Sequence, residues 1–314
     1  MSCILVTSYP NPDLDGTACM FAYAELLCIQ GREAVAGIMG TPHTEAQHVA
    51  ERFQISLPTE VDPRNFKEII LVDTSTLTDQ DPRLPIKRVI EIIDHRQLHE
   101  GEKFPNAKLQ IELVGSAATL IVERFQQASV TPSRDAAHLL YGAIASNTVN
   151  FKANVTTERD HQAASWLLTF YPIPDDFITV MFQAKSNLEG SALHDTLVGD
   201  FSFREVGGQK IGIGQLEVVG AKHLVETRYQ DLLKSLTHLK ETHPMVDTFF
   251  VSVIDVMDGY NMFLVPDKET QEELTAFLGT TFDERGIGYR SGIIMRKEIR
   301  PLWLEWLEKN ARTT

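Results

Sequence analysis

YPNPDLDG, residues 9–16, is the stretch that decides how this chain reads. The apolar run ILVT at 4–7 precedes it, and a helical pattern, GTACMFAYAELLCIQG at 16–31, follows. A strand, an acidic turn and a helix open an α/β sheet, where ligands gather at the carboxyl ends of parallel strands. Asp13 and Asp15 lie one residue apart in that turn, although their charges repel. Two further apolar runs also end in acids: IILVD at Asp73, and VIEIIDHR at Asp94, His95 and Arg96. As parallel neighbours these strands bring four carboxylates and an imidazole to one rim. Such a group cannot stay fully ionised without cations between its members. Carboxylate oxygens favour hard ions and imidazole adds affinity for transition metals, which suits Mn, Mg or Co, as one or two ions. Two ions bridged by a carboxylate form a site for in-line attack on phosphorus, and adjacent aspartates could then each address a different ion. Taken singly, each Asp also fits an Asx-turn or a helix cap, and His95 fits a hydrogen-bonded structural histidine.

The chain has 314 residues, 43% apolar and 23% charged, which suits two globular domains. Its formal net charge of −14 repels phosphate backbones at long range and argues against nucleic acid as a partner. A small anionic substrate remains compatible, because metal ions or Arg/Lys reverse the field inside one cleft. No apolar run approaches a membrane span, and the first residues lack the pattern of a signal peptide. Cys3, Cys19 and Cys28 show no C-x-x-C spacing, so the expectation is a cytoplasmic protein with reduced thiols.

Continuous apolar strands alternate with helices through the first half, as in a parallel sheet covered on both faces. Ser133 and Thr156 are candidate helix N-caps. Residues 183–200, QAKSNLEGSALHDTLVGD, are polar and Gly-containing, so the domains are placed at 1–188 and 189–314. The remainder predicts a hairpin around GGQ at 207–209, a long helix over 221–241, and SGIIMRK as a last strand. Its strands alternate more and imply a smaller mixed-sheet α/β domain. VGGQKIGIG lacks the helix and Lys-Ser/Thr pair of a phosphate loop, so a hairpin turn is the better reading. Trp303 and Trp306 are placed on a helix packed on the second domain.

The ordered set NPDLDG, LVDTS, IIDHR, GSAATLI and AIASNTVNF resembles the DHH phosphoesterase superfamily. It is most similar to the manganese-dependent family II inorganic pyrophosphatases and to exopolyphosphatase- and prune-type relatives. FQAKSNLEG falls where that family has its inter-domain segment, and SGIIMRKEIRPLW resembles its C-terminal substrate-binding stretch. The resemblance implies an N-terminal DHH domain, a C-terminal DHH-associated domain and an active site in the cleft between them. It implies that Asp13 holds the first metal and Asp15 the second, that Asp73 bridges both, and that His95 holds the second. Arg96, in a DHR variant of the DHH motif, would face the substrate phosphate. Arg296 and Lys297 would clamp the distal phosphate, and Ser116, a helix cap, would be a secondary phosphate contact. The resemblance also allows a homodimer.

Three positions depart from the family pattern. Tyr9 stands where pyrophosphatases carry a metal-binding histidine. Asn147 stands where they carry a metal-binding aspartate, and brings a carbonyl oxygen without charge. GDFSFREV, after Asp200, lacks a substrate-binding lysine and offers only Arg204 nearby. Two readings follow. The first is a divalent-metal phosphohydrolase acting on a phosphoanhydride such as pyrophosphate or short polyphosphate, with lowered activity. The second is a catalytically impaired relative that binds phosphate or nucleotide ligands in a regulatory role. A DHH-type exonuclease fits the acidic charge poorly.

Overall fold

The computed structural model describes residues 3–186 and 188–311. Asn187, inside the FQAKSNLEG stretch, lies outside the described residues. The chain divides into two compact units, Met1–Phe151 with Val155–Ala184, and Lys152–Asn154 with Lys185–Thr314.

The first unit contains β1 (Ile4–Thr7), α1 (Leu14–Ile29), β2 (Ala34–Ala36), α2 (Thr44–Phe53), β3 (Glu68–Val72), β4 (Val89–Asp94) and β5 (Lys108–Ile111). It continues with α3 (Ala117–Gln127), α4 (Arg134–Asn147), α5 (Glu158–Phe170) and α6 (Phe177–Lys185). Every strand pair is parallel, in the order β2-β1-β3-β4-β5. The apolar runs are therefore neighbours, and their acidic ends share one edge. β1 is buried along its whole length, as a strand covered on both sides must be. α1 and α3 pack on one face. On the other, Leu5, Ile69, Leu71 and Ile92 meet Leu84 and Phe104, carried by segments with short 3-10 turns.

Local chemistry sets the helix starts. Ser133 accepts the Ala136 amide and caps α4. The cap of α5 is Thr157 rather than Thr156, because Asp160 returns a bond to the Thr157 amide and closes a capping box. Gly16, in the first turn of α1, is tightly fitted: a Cβ there would stand 2.7 Å from the Ser8 hydroxyl oxygen.

The second unit contains α7 (Ala192–Asp200), β6 (Ser202–Val206), β7 (Gln209–Val218), α8 (Ala221–Thr227), α9 (Tyr229–Thr242), β8 (Thr248–Asp255) and β9 (Tyr260–Leu264). α10 (Lys268–Leu278), β10 (Thr281–Phe282), β11 (Ile287–Ser291) and α11 (Arg296–Ala311) complete it. The sheet is mixed, in the order β10-β11-β9-β8-β7-β6, with β7 and β8 the parallel pair. β6 and β7 form the expected hairpin across Gly207 and Gly208, both at positive φ.

Three expectations need correction. The polar stretch at 192–200 is a helix, because Leu193 and Leu197 bury one face of it in the unit's core. The long helix over 221–241 is two helices, broken at Arg228. Arg296 and Lys297 open α11 rather than end a strand, since β11 stops at Ser291.

Trp303 is fully buried, with ring centres 5.2 Å from Phe277 and 6.0 Å from Phe250. Trp303→Ala should lower unfolding stability by about 3–5 kcal/mol, read as the denaturation midpoint. No described helix is long and apolar enough to cross a membrane.

Candidate metal centre

Three side chains from the β1, β3 and β4 ends converge. One ligand atom each of Asp15, Asp73 and His95 lies within 4.8 Å of the others, and all three residues are buried. His95 Nε2 stands 3.4 Å from Asp73 Oδ1 and 3.9 Å from Asp15 Oδ2. Asp15 is held by α3: its carboxylate accepts the Ala117 and Ala118 amides, each at 2.8 Å. The positive end of that helix thus favours the ionised acid. Asp73 follows β3 with φ of 54°, a left-handed conformation uncommon for a non-glycine residue. Its amide donates to the Ile93 carbonyl at 2.8 Å, which fixes the turn.

The donor set fits a divalent cation. His95 Nδ1 lies 3.0 Å from the Val114 carbonyl oxygen, which only accepts. Nδ1 therefore carries the proton and Nε2 presents its lone pair to the two carboxylates, the arrangement a ligating histidine requires. Burial and the neighbouring Asp73 push the Asp15 carboxyl up to about 7, against the partial relief that His95 gives. A bound cation removes that conflict.

A pH prediction follows. Asp15's folded pKa of about 7 lies above its unfolded value, so the metal-free fold keeps a proton that the unfolded chain has released. Without metal, the contribution of Asp15 to stability is fully present at low pH and is lost as pH rises through about 7. Metal must displace that proton, so affinity should fall about tenfold per unit below about pH 7. Titration calorimetry at three pH values checks it.

The other expected residues are placed as follows. Asp13 lies outside the triad. It caps α1, accepting the Gly16 amide at 2.9 Å, and its own amide donates to the Tyr9 hydroxyl. Asp94, expected on the rim, is fully buried and accepts from the Ser75 hydroxyl and the His95 amide. The four carboxylates therefore do not form one cluster. Arg96 lies 3.6 Å from Asp79, 3.9 Å from Asp94 and over the Tyr9 ring at 5.4 Å. Burial weakens its charge, but Asp94 and Asp73 more than offset this and hold the guanidinium firmly protonated.

Asn147, at the end of α4, reaches the triad through its nitrogen: the side-chain amide donates to Asp15 Oδ2. Ser116, expected to touch phosphate, accepts the Ala118 amide and is closed to solvent. The first amides of its helix already serve Asp15. In the second unit, Arg296 bonds Asp200 and the Ile213 carbonyl, and Lys297 is exposed.

Two groups escaped the sequence reading. The Val114 carbonyl sets the His95 tautomer, and a backbone atom leaves no residue-type signal. Glu45 is buried and accepts the Leu14 amide and the Ser146 hydroxyl, tying the start of α1 to the end of α4. A glutamate in a first helical turn gives no hint of that.

Residues 3–144 match the DHH family, N-terminal domain, and residues 179–303 match the DHHA2 domain. A manganese-dependent inorganic pyrophosphatase of Methanothrix thermoacetophila is 27% identical over 304 residues, covering 95% of this chain and 97% of that protein. A Methanococcus jannaschii crystal structure, described as a family II inorganic pyrophosphatase, superposes with a TM-score of 0.79 at 27% identity, over 98% of this chain and 99% of that one. An exopolyphosphatase-related protein of Bacteroides fragilis shares the fold, with a TM-score of 0.51 at 13% identity, over 99% and 93% of the two chains. With both domain families matched in order, the chain belongs to the DHH phosphoesterase superfamily and resembles its family II inorganic pyrophosphatases.

Proposed function

We propose that this chain is a divalent-metal phosphohydrolase that cleaves a phosphoanhydride of a small anion, pyrophosphate first. The observation that carries the reading is the buried Asp15, Asp73 and His95 set, with Nε2 of His95 presented by its bond to Val114. Similar proteins named for manganese-dependent pyrophosphate hydrolysis support pyrophosphate as the substrate and manganese as the metal.

Asp15, Asp73 and His95 would hold one manganese ion, for which magnesium or cobalt could substitute. The bound ion supplies Lewis acidity toward phosphate oxygens and acidifies water. Arg96 stands beside the triad as a permanent cation and would neutralise charge on the transferring phosphoryl group. The Tyr9 ring and Asp94 orient that guanidinium. Arg296 and Lys297 of the second unit would hold a substrate phosphate. Asp13 and Asn147 would contribute to a further metal position only after rearrangement, because Asp13 caps its helix and Asn147 points a donor at Asp15.

The test is phosphate release from pyrophosphate, tripolyphosphate and a nucleotide panel, by chelator-stripped protein resupplied with Mn, Mg or Co. The expected result is Mn-dependent release, fastest from pyrophosphate. Silence across the panel, with phosphate still bound, favours the impaired, phosphate-binding relative.

A further inference from the structure

Asp160 is fully buried on α5, and it has no part in the function proposed above. Its Oδ2 accepts the amide and the hydroxyl of Thr157, each at 2.7 Å, at the start of its own helix. Its remaining bonds come from a segment 41 to 45 residues earlier. The Gly115 amide donates to Oδ2 at 2.9 Å and to Oδ1 at 3.1 Å, and the Thr119 hydroxyl donates to Oδ1 at 2.6 Å. A capping box accounts for the bonds from Thr157 and for none of these. Along the earlier segment the partners alternate. The Val114 carbonyl faces His95 Nδ1 at 3.0 Å, and Gly115 donates to Asp160. The Ala117 and Ala118 amides donate to Asp15 at 2.8 Å, and Thr119 returns to Asp160. The Val114 carbonyl and the Gly115 amide are the two ends of one peptide unit. That unit is planar and trans, so its C=O and N–H point opposite ways, and fixing one fixes the other. Asp160 therefore grips the far end of the peptide that orients His95. The fit is close: a Cβ on Gly115 would stand 2.5 Å from Thr148 Cγ2 and 2.9 Å from Asp160 Oδ2.

We propose that Asp160 is a positioning residue of the metal centre. Through the Val114–Gly115 peptide it sets the direction of the carbonyl that holds His95 with Nε2 bare. An acceptor on the N–H also polarises that peptide, which makes its carbonyl a stronger acceptor for the His95 proton and Nε2 a better donor. By holding both Gly115 and Thr119, Asp160 brackets the two amides that grip Asp15. One buried carboxylate thus places two of the three candidate ligands without touching either. The proposal rests on the reading of Asp15, Asp73 and His95 as the metal ligands of a phosphohydrolase.

The test compares the full chain with Asp160→Ala, Asp160→Asn, Gly115→Ala and Thr157→Ala. The first readout is nitrogen NMR of the histidine rings in metal-free protein, in alkaline buffer where neutral imidazole dominates. His95 is assigned from the signal lost in His95→Gln. The unsubstituted protein should show His95 protonated at Nδ1 alone, and Asp160→Ala a mixture of the two tautomers. The second readout is manganese affinity by equilibrium dialysis, which should fall about tenfold or more in Asp160→Ala. Asp160→Asn keeps an acceptor for the Gly115 amide and should restore most of both properties. Gly115→Ala leaves Asp160 on its helix but forces the peptide away from it, and should reproduce Asp160→Ala. Thr157→Ala removes the cap hydroxyl alone; it should lower the melting temperature and leave tautomer and affinity as they were. An Asp160→Ala protein that melts lower yet keeps the Nδ1–H form and full manganese affinity would overturn the proposal, and Asp160 would be a helix cap only. If Asp160→Ala does not fold, unchanged tautomer and affinity in Gly115→Ala overturn it equally. Mn-dependent turnover beside such a result would leave the phosphohydrolase reading intact. The expected tautomer and affinity changes, with no phosphate released by any form, would keep the positioning role and remove that reading.

Discussion

Asp73→Asn is expected to reduce phosphate release by at least about 10³-fold and to strip most of the bound metal. Asp73 is 1% exposed and is one of only two carboxylates in the triad. Its position at 3.4 Å from His95 Nε2 makes it the acid most closely paired with the imidazole lone pair. Asparagine keeps the shape and removes the charge, so the ion loses a charged donor. The choice of substitution matters. At φ of 54° asparagine is tolerated, whereas alanine adds backbone strain to the loss of the ligand. Metal content by plasma emission and rate on pyrophosphate should therefore fall together while the melting curve stays cooperative. Full metal content in Asp73→Asn would remove Asp73 from the site.

Asn147→Asp, alone and with Tyr9→His, is the second prediction. Asn147 now donates to Asp15, which steadies that acid without metal. An aspartate there loses the donor and brings a third carboxylate toward Asp15 and Asp73. The metal-free protein should lose about 1–3 kcal/mol of stability from that repulsion and the lost bond. Manganese affinity should rise about tenfold or more, and the paired variant should take up a second ion. Equilibrium dialysis against labelled manganese measures both. Unchanged affinity and stoichiometry would mean that neither position faces the metals.

The legible part of this protein was its sheet edge. Apolar runs without alternation mark parallel strands, and acids at their ends mark the rim; β1, β3 and β4 are adjacent and parallel. The triad followed from residue type and topology. What stayed hidden was decided by hydrogen-bond direction. Asp13 carries site-like chemistry, yet it caps α1, whereas the cap that Ser116 gives α3 was legible from its residue type. Asp94 carries the first letter of the motif, yet the Ser75 hydroxyl and the His95 amide hold its oxygens. The orienting partner of His95 is a backbone carbonyl and has no letter. At 192–200, polarity concealed a helix because two leucines are enough to anchor it.

The most direct test of the account is to titrate manganese into chelator-stripped protein while recording ions bound per chain and the rate of pyrophosphate hydrolysis. No release is expected at zero metal, and the rate should climb with occupancy and saturate as the first ion fills its site. Release without metal, or a first ion that binds tightly and leaves the rate at zero, would contradict it.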